Sequence, residues 1–249
     1  MEPWFFVSPE ELGQDKVLLT KDLLPHLRAL HLQRGDLIIL ADGKGKVYRA
    51  RLLELTAKGG EAEIVEELSL SNEPSLQVTL FPGVAKGDKM DRVVRQAVEL
   101  GVHRIIPVLT ERSVVRYSTM SQKDEKAKRW QKIALAAAQQ SRRSLIPSVL
   151  PPFEFEEMLL FWQQEEFEAI FVPWEEERNL SLPQVLESLP RSLKRVGLFT
   201  GPEGGISDRE MEQIKEFEGA YSVSLGPRIL RAETAPLALL AVLMCRYDW

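Results

Sequence analysis

Two short glycine-bearing stretches near the C-terminus constrain this chain more than any other part of it. They are Thr200-Gly-Pro-Glu-Gly-Gly-Ile206 and Leu225-Gly-Pro-Arg-Ile-Leu-Arg-Ala-Glu-Thr-Ala-Pro236. Each follows a short apolar run with strand character, Val196 to Phe199 and Tyr221 to Leu225. Each leads into helix-start signals. Ser207 with Glu210 three residues on forms a capping box. Thr234, two residues before Pro236, reads as an N-cap with proline in the first turn. Two strand-to-helix turns of this kind place backbone N–H and C=O groups at the C-terminal ends of strands, where open α/β sheets bind ligands.

The pattern upstream agrees. From Leu76 onward, apolar strand-like runs alternate with helical segments. Leu76 to Phe81, Ile105 to Leu109, Ala169 to Val172, Val196 to Thr200 and Tyr221 to Leu225 read as strands. Asp88 to Leu100, stopped by Gly101, and Lys123 to Ser141 read as helices. Such alternation predicts an α/β domain with a largely parallel sheet. No GxGxxG follows the first strand, so an ordinary Rossmann nucleotide site is not supported. The first seventy residues differ. Asp36 to Leu40, Val47 to Leu53 and Glu61 to Leu68 read as strands, with Asp42-Gly-Lys-Gly45 as hairpin chemistry and Leu23 to Leu32 as a short helix. Ser69 to Ser75 reads as the linker. Two domains are therefore expected, 1–70 and 71–249.

Net charge is −5, yet its distribution is uneven. Lys86 to Arg143 holds 14 Lys/Arg against 6 Asp/Glu; Ser144 to Pro190 holds 1 against 10. A local basic patch steers a polyanion even when the whole chain is acidic. Arg112, Arg116, Arg142 and Arg143 lie in the basic stretch, and guanidinium forks match phosphate geometry. Singly each is an ordinary surface or ion-pair residue; as a group they point to RNA. The single cysteine, Cys245, excludes a disulfide framework and reads as a small apolar residue of the last helix. His26, His31 and His103 lack metal-ligand spacing, so no metal is expected. Met1 to Val7 reads as a strand and not a signal peptide, and no window approaches a membrane span. A reducing cytoplasm fits.

The ordered set of motifs carries a resemblance. GPEGG and LGPRILRAETAP, with Lys86-Gly-Asp-Lys-Met90, Glu99-Leu-Gly-Val102, Thr110-Glu-Arg-Ser-Val-Val115, Arg129-Trp130, Gln140 to Arg143, Pro147, His26-Leu27 and Ala41-Asp-Gly43, resemble the RsmE family of the SPOUT superfamily. The match runs over nearly the whole chain. It implies a PUA-like β-barrel that binds RNA, followed by a SPOUT α/β domain closed by a C-terminal trefoil knot. The implied activity is S-adenosylmethionine-dependent methylation of N3 of a uridine in 16S ribosomal RNA of the small subunit, by a homodimer. By analogy, the backbone around Thr200, Gly201, Gly205, Leu225, Gly226, Ile229 and Leu230 cradles the cofactor, with the Thr234 hydroxyl added. Arg231 contacts the target base or its phosphate, and Arg228 joins the RNA-binding set. Glu233 is a candidate base, or else a structural carboxylate at the start of the last helix. The chain departs from the family at Ala136 and Gln139, where acids are usual, and at His31, where an arginine often stands. Competing readings are methylation of a ribose 2′-hydroxyl, a non-catalytic RNA-binding assembly factor, and an anion-binding hydrolase.

Overall fold

A computed structural model describes residues 2–70 and 72–249. Contacts divide the chain into two units. One comprises the residues before Pro74 with Ala138–Ile146; the other comprises Pro74–Ala137 with Pro147–Trp249.

The first unit is built on β1 (Trp4–Phe6), β2 (Lys16–Leu19), β3 (Leu37–Ala41), β4 (Val47–Leu55) and β5 (Gly60–Leu68), with helix α1 (Leu24–Ala29). The strands form one mixed sheet in the order β1-β3-β4-β5-β2, with only β1–β3 parallel. Alternation along the strands puts Val17, Leu19, Ile38, Leu40, Ala50 and Leu52 into a core with Leu24 and Leu27 of α1. The predicted hairpin is present: Asp42 Oδ1 accepts from the backbone N–H of Lys44 (2.7 Å) and Lys46 (3.0 Å). Helix α1 is shorter than the Leu23–Leu32 expectation, because His31 turns left-handed at φ 55° and ends it.

The predicted linker holds an anchor. Glu73 accepts from the Arg143 guanidinium (2.6 and 3.1 Å) and from the backbone N–H of Ser144 (2.7 Å) and Leu145 (2.9 Å). Arg143 is therefore not a phosphate-gripping residue: it is 4% exposed and bonded to a carboxylate. Ser71, within the same predicted linker, lies outside the described residues. Arg143→Ala should lower the stability of this unit by about 2–3 kcal/mol, since Glu73 loses charged hydrogen bonds. Urea unfolding followed by a tryptophan signal checks this; an unchanged midpoint would contradict it.

The second unit begins with β6 (Gln77–Pro82), α2 (Lys89–Glu99), β7 (Arg104–Ile105) and β8 (Val108–Leu109). Helix α3 (Met120–Gln140) starts in it. Then come β9 (Ser148–Val149), β10 (Phe153–Glu154), α4 (Phe155–Gln164), β11 (Ala169–Pro173), α5 (Leu182–Ser188), β12 (Arg195–Thr200), α6 (Asp208–Lys215), β13 (Ala220–Val223) and α7 (Thr234–Tyr247). Six strands form an all-parallel sheet in the order β13-β11-β12-β6-β7-β9. The α/β alternation predicted this class. Trp162 of α4 packs edge-on against Phe81 and Phe199 at 5.8 and 6.2 Å, fixing that helix on β6 and β12. Helix α2 ends as expected at Gly101 (φ 94°), where Val102 N–H reaches Ala97 O and Gly101 N–H reaches Val98 O.

Three local expectations need correction. The run Ile105 to Leu109 is not one strand: β7 ends at Ile105 in the six-stranded sheet, while β8 pairs with β10 in a separate two-stranded sheet. Strand β13 stops at Val223, not Leu225, because the Ser224 backbone instead bonds Leu180 and Leu182. Thr234 is the first residue of α7 and not its cap. Glu233 is already helical (φ −80°, ψ −19°), and the Thr234 and Ala235 N–H groups are satisfied by Arg231 O.

Candidate functional site

The C-terminal ends of β13, β11 and β12, neighbours in the sheet, open into a cavity of about 470 Å³. That size suits a small-molecule ligand. Its walls are the turns after those strands: Pro173 to Glu175 with Arg178, Thr200 to Glu203 with Gly205 and Ile206, and Ser224 to Glu233. Lys89, at the start of α2, completes the lining with Ala235.

The first glycine turn is shaped by its own backbone. A Cβ on Gly201 would stand 2.9 Å from the Gly205 carbonyl carbon and 3.1 Å from Ile206 N. Gly226 in the second turn has φ 109°, a conformation that L side chains rarely adopt. The Ser207–Glu210 capping box is real: Ser207 N–H donates to Glu210 Oε2 (3.0 Å), and Ser207 Oγ accepts from Glu210 N–H (3.3 Å). Glu210 also accepts from Glu111 N–H (2.7 Å). The capping carboxylate thus ties the turn after β12 to the turn after β8.

Glu203 lies between glycines and reaches back to the start of α2. It accepts from Lys86 N–H (3.0 Å) and Lys89 Nζ (2.8 Å). Burial raises its pKa, but the Lys89 hydrogen bond, backbone hydrogen bonds at Glu203 and Lys86, and the Lys89 charge outweigh burial and bring it below the usual carboxylate value. Lys89 Nζ also stands 4.0 Å from Glu233 Oε2. Attraction at that separation is about 4 kcal/mol for an effective dielectric of 20. Glu233 Oε2 is buried with no hydrogen-bond partner, as is Thr200 Oγ1. Buried polar atoms are normally satisfied, so two orphans lining one cavity mark a place for ligand donors.

Of the residues expected to bind a cofactor, Thr200, Gly201, Gly205, Leu225, Gly226, Ile229 and Leu230 all line the cavity. Thr234 does not; it is exposed on the first turn of α7. Arg228 and Arg231 line the cavity with exposed side chains, and Glu233 joins them at the N-cap position of α7 without capping through its side chain. Arg112 is exposed beside the first turn, donating to Gly204 O at 3.3 Å. Arg116 is engaged by its own loop, donating to Thr110 O and Glu111 O at 2.7 Å each, so it braces that loop instead of offering a free fork. Arg142 is half-buried at φ 59°.

The sequence reading missed Lys89, Trp174, Glu175 and Arg178. Lys89 stands inside the quoted Lys86–Met90 motif. The other three follow β11, which ends in a turn exactly as its two neighbours do, so the strand-end logic applied to it as well. Among the described residues, no group of three or more His, Cys, Asp or Glu side chains is placed to hold a metal ion. No described helix is long and apolar enough to cross a membrane.

Comparison with known proteins bears on the same residues. A ribosomal RNA small subunit methyltransferase E from Synechocystis is 37% identical over 238 residues, covering 94% of this chain and 75% of that protein. The Bacillus subtilis protein of the same name is 31% identical over 230 residues, covering 90% and 88%. A crystal structure of a ribosomal RNA small subunit methyltransferase E from Neisseria gonorrhoeae, bound to S-adenosyl methionine, superposes with a TM-score of 0.86 at 35% identity, covering 98% of each chain. The RNA methyltransferase domain matches residues 72–244, which takes in every strand of the parallel sheet and all three turns around the cavity; the chain belongs to that family.

Proposed function

We propose that this chain methylates N3 of a uridine in 16S ribosomal RNA of the small subunit, using S-adenosylmethionine held in the cavity at the ends of β11, β12 and β13. The observation that carries the reading is the pairing of two glycine turns with two buried, unpartnered oxygens, Thr200 Oγ1 and Glu233 Oε2, in one cavity. The residues present fit the cofactor. Backbone groups of both turns suit its adenine and ribose edges, Thr200 Oγ1 offers a hydroxyl, and the acidic Glu203 and Glu233 suit its cationic parts. When bound, S-adenosylmethionine supplies an activated methyl group on a sulfonium.

The protein's own task is positioning and charge. Uracil N3 carries a proton near neutral pH, so a base must take it or a cation must stabilise the resulting anion. Arg231, exposed at the cavity, is suited to the second role. Glu233, partly exposed and with one unpartnered oxygen, is suited to the first. The first unit, read as a PUA-like RNA-binding barrel, would contact RNA through Arg142, and the second unit through Arg112 and Arg228. The trefoil knot and the cytoplasmic setting follow from the family resemblance. A homodimer is supported by the exposed stripe Ala238, Val242 and Cys245 along α7.

The deciding experiment combines the protein, labelled S-adenosylmethionine and small subunits lacking the modification, then maps the product. N3 methylation blocks the Watson–Crick edge and stops reverse transcription at one base. Label on a ribose, with read-through at that base, would establish the 2′-hydroxyl alternative instead. No transfer would support the non-catalytic reading. Charge reversal at Arg112 and Arg142 together should weaken RNA binding and lower the salt slope by about 1–2, as fewer counterions are released. An unchanged slope would leave both as ordinary surface residues.

A further inference from the structure

Lys89 was assigned no role by motif or resemblance, yet it joins three segments. It sits at the start of α2, bonds Glu203 of the first glycine turn at 2.8 Å, and stands 4.0 Å from Glu233 at the start of α7. Its side chain is 27% exposed, and those of Glu203 and Glu233 are 29% and 18% exposed. Glu233 Oε2 has no hydrogen-bond donor, although Glu175, Arg178, Arg228 and Arg231 also line the cavity. An ammonium anchored by a second carboxylate cannot swing freely onto Glu233, so it holds that partly exposed carboxylate by charge without hydrogen-bonding it.

We propose that Lys89 is a positioning residue for turnover: anchored on Glu203, it holds the Glu233 carboxylate in place to take the proton from the target nitrogen. This rests on the methyltransferase reading above. In that step the N3–H bond breaks and the proton goes to the Glu233 carboxylate. The electron pair left on nitrogen forms the new N–CH3 bond as the methyl–sulfur bond breaks, and the donor leaves as a neutral thioether.

The test is single-turnover methylation of small subunits at saturating S-adenosylmethionine, with cofactor Kd measured separately by calorimetry. The variants are Lys89→Met, Lys89→Arg, Glu233→Gln and the Lys89→Met/Glu233→Gln double. Glu233→Gln should slow transfer about 100- to 10,000-fold, the usual worth of a general base. Lys89→Met should slow it by up to about 100-fold, with Kd nearly unchanged, and Lys89→Arg should recover part of that loss. The double variant should be no slower than Glu233→Gln alone, because Lys89 acts only through Glu233. Losses that multiply in the double variant overturn the proposal. So does a Lys89→Met effect confined to Kd, or a wild-type rate in Glu233→Gln. Calorimetric binding by each variant shows that the site is folded. If the wild-type protein itself transfers no methyl group, the functional reading fails; if it does and the variants behave independently, only the role of Lys89 fails.

Discussion

Gly201→Val should weaken S-adenosylmethionine binding about 100-fold or more. The added Cβ would meet the Gly205 carbonyl carbon at 2.9 Å, Ile206 Cγ1 at 3.0 Å and Ile206 N at 3.1 Å. Most of what it meets is backbone of the same turn, which cannot swing aside as a side-chain tip can. Overpacking of this kind costs roughly 1–3 kcal/mol before any ligand contact is lost. Gly226→Val should also weaken binding, but for another reason. No atom lies within 4 Å of a Cβ there; the penalty is the φ of 109°, worth about 1–3 kcal/mol of backbone strain. The two sites therefore predict different series. At Gly226, alanine and valine should be similarly poor, since both carry the Cβ that the backbone angle disfavours. At Gly201, alanine should already lose affinity because its Cβ meets the same backbone, and valine's two further methyls in that crowded turn should make it worse still. Calorimetry with folded variants decides, and undiminished affinity in Gly201→Val and Gly226→Val would remove the cofactor from this cavity.

Arg231→Ala should slow single-turnover methylation about 100- to 1000-fold at saturating cofactor, with cofactor affinity little changed. The backbone of Arg231 is fixed, since its carbonyl accepts from the N–H groups of Thr234 and Ala235 (2.8 and 3.0 Å) and so starts α7. Its side chain is exposed at the cavity wall. Under the proposed function, this guanidinium at the cavity wall would serve as a donor to the uracil anion, or to the phosphate of an extruded nucleotide. Arg231→Lys keeps the charge and loses the planar fork, so it should also be impaired. Wild-type rates in the alanine variant would take Arg231 out of the mechanism.

The parallel sheet was legible because its cause is local. Apolar runs of strand length alternate with amphipathic stretches, and glycine marks where a strand must turn. The same signal located the two turns that form most of the cavity wall. What could not be read was pairing between distant segments. Nothing near Lys89 indicates that its partners lie 114 and 144 positions away. Nothing in the run Ser141 to Arg143 indicates that one arginine is exposed to partial contact with solvent while the next is buried on Glu73. A basic stretch reports charge, not which charges are already spent within the fold. Thr234 failed for a different reason: cap preference is a weak signal when the preceding residues are themselves helical and supply the acceptor.

The return of Ala138–Ile146 to the first unit sets an order of events on the ribosome. Glu73 has no guanidinium partner until Arg143, 70 residues later, has been made. At about 5–20 residues per second, that is a wait of about 4–14 seconds. During it the nascent N-terminal unit carries a carboxylate whose donors do not yet exist. Completion of that unit is thus timed by translation of the second one, and a chain released early, anywhere before Arg143, leaves both unfinished.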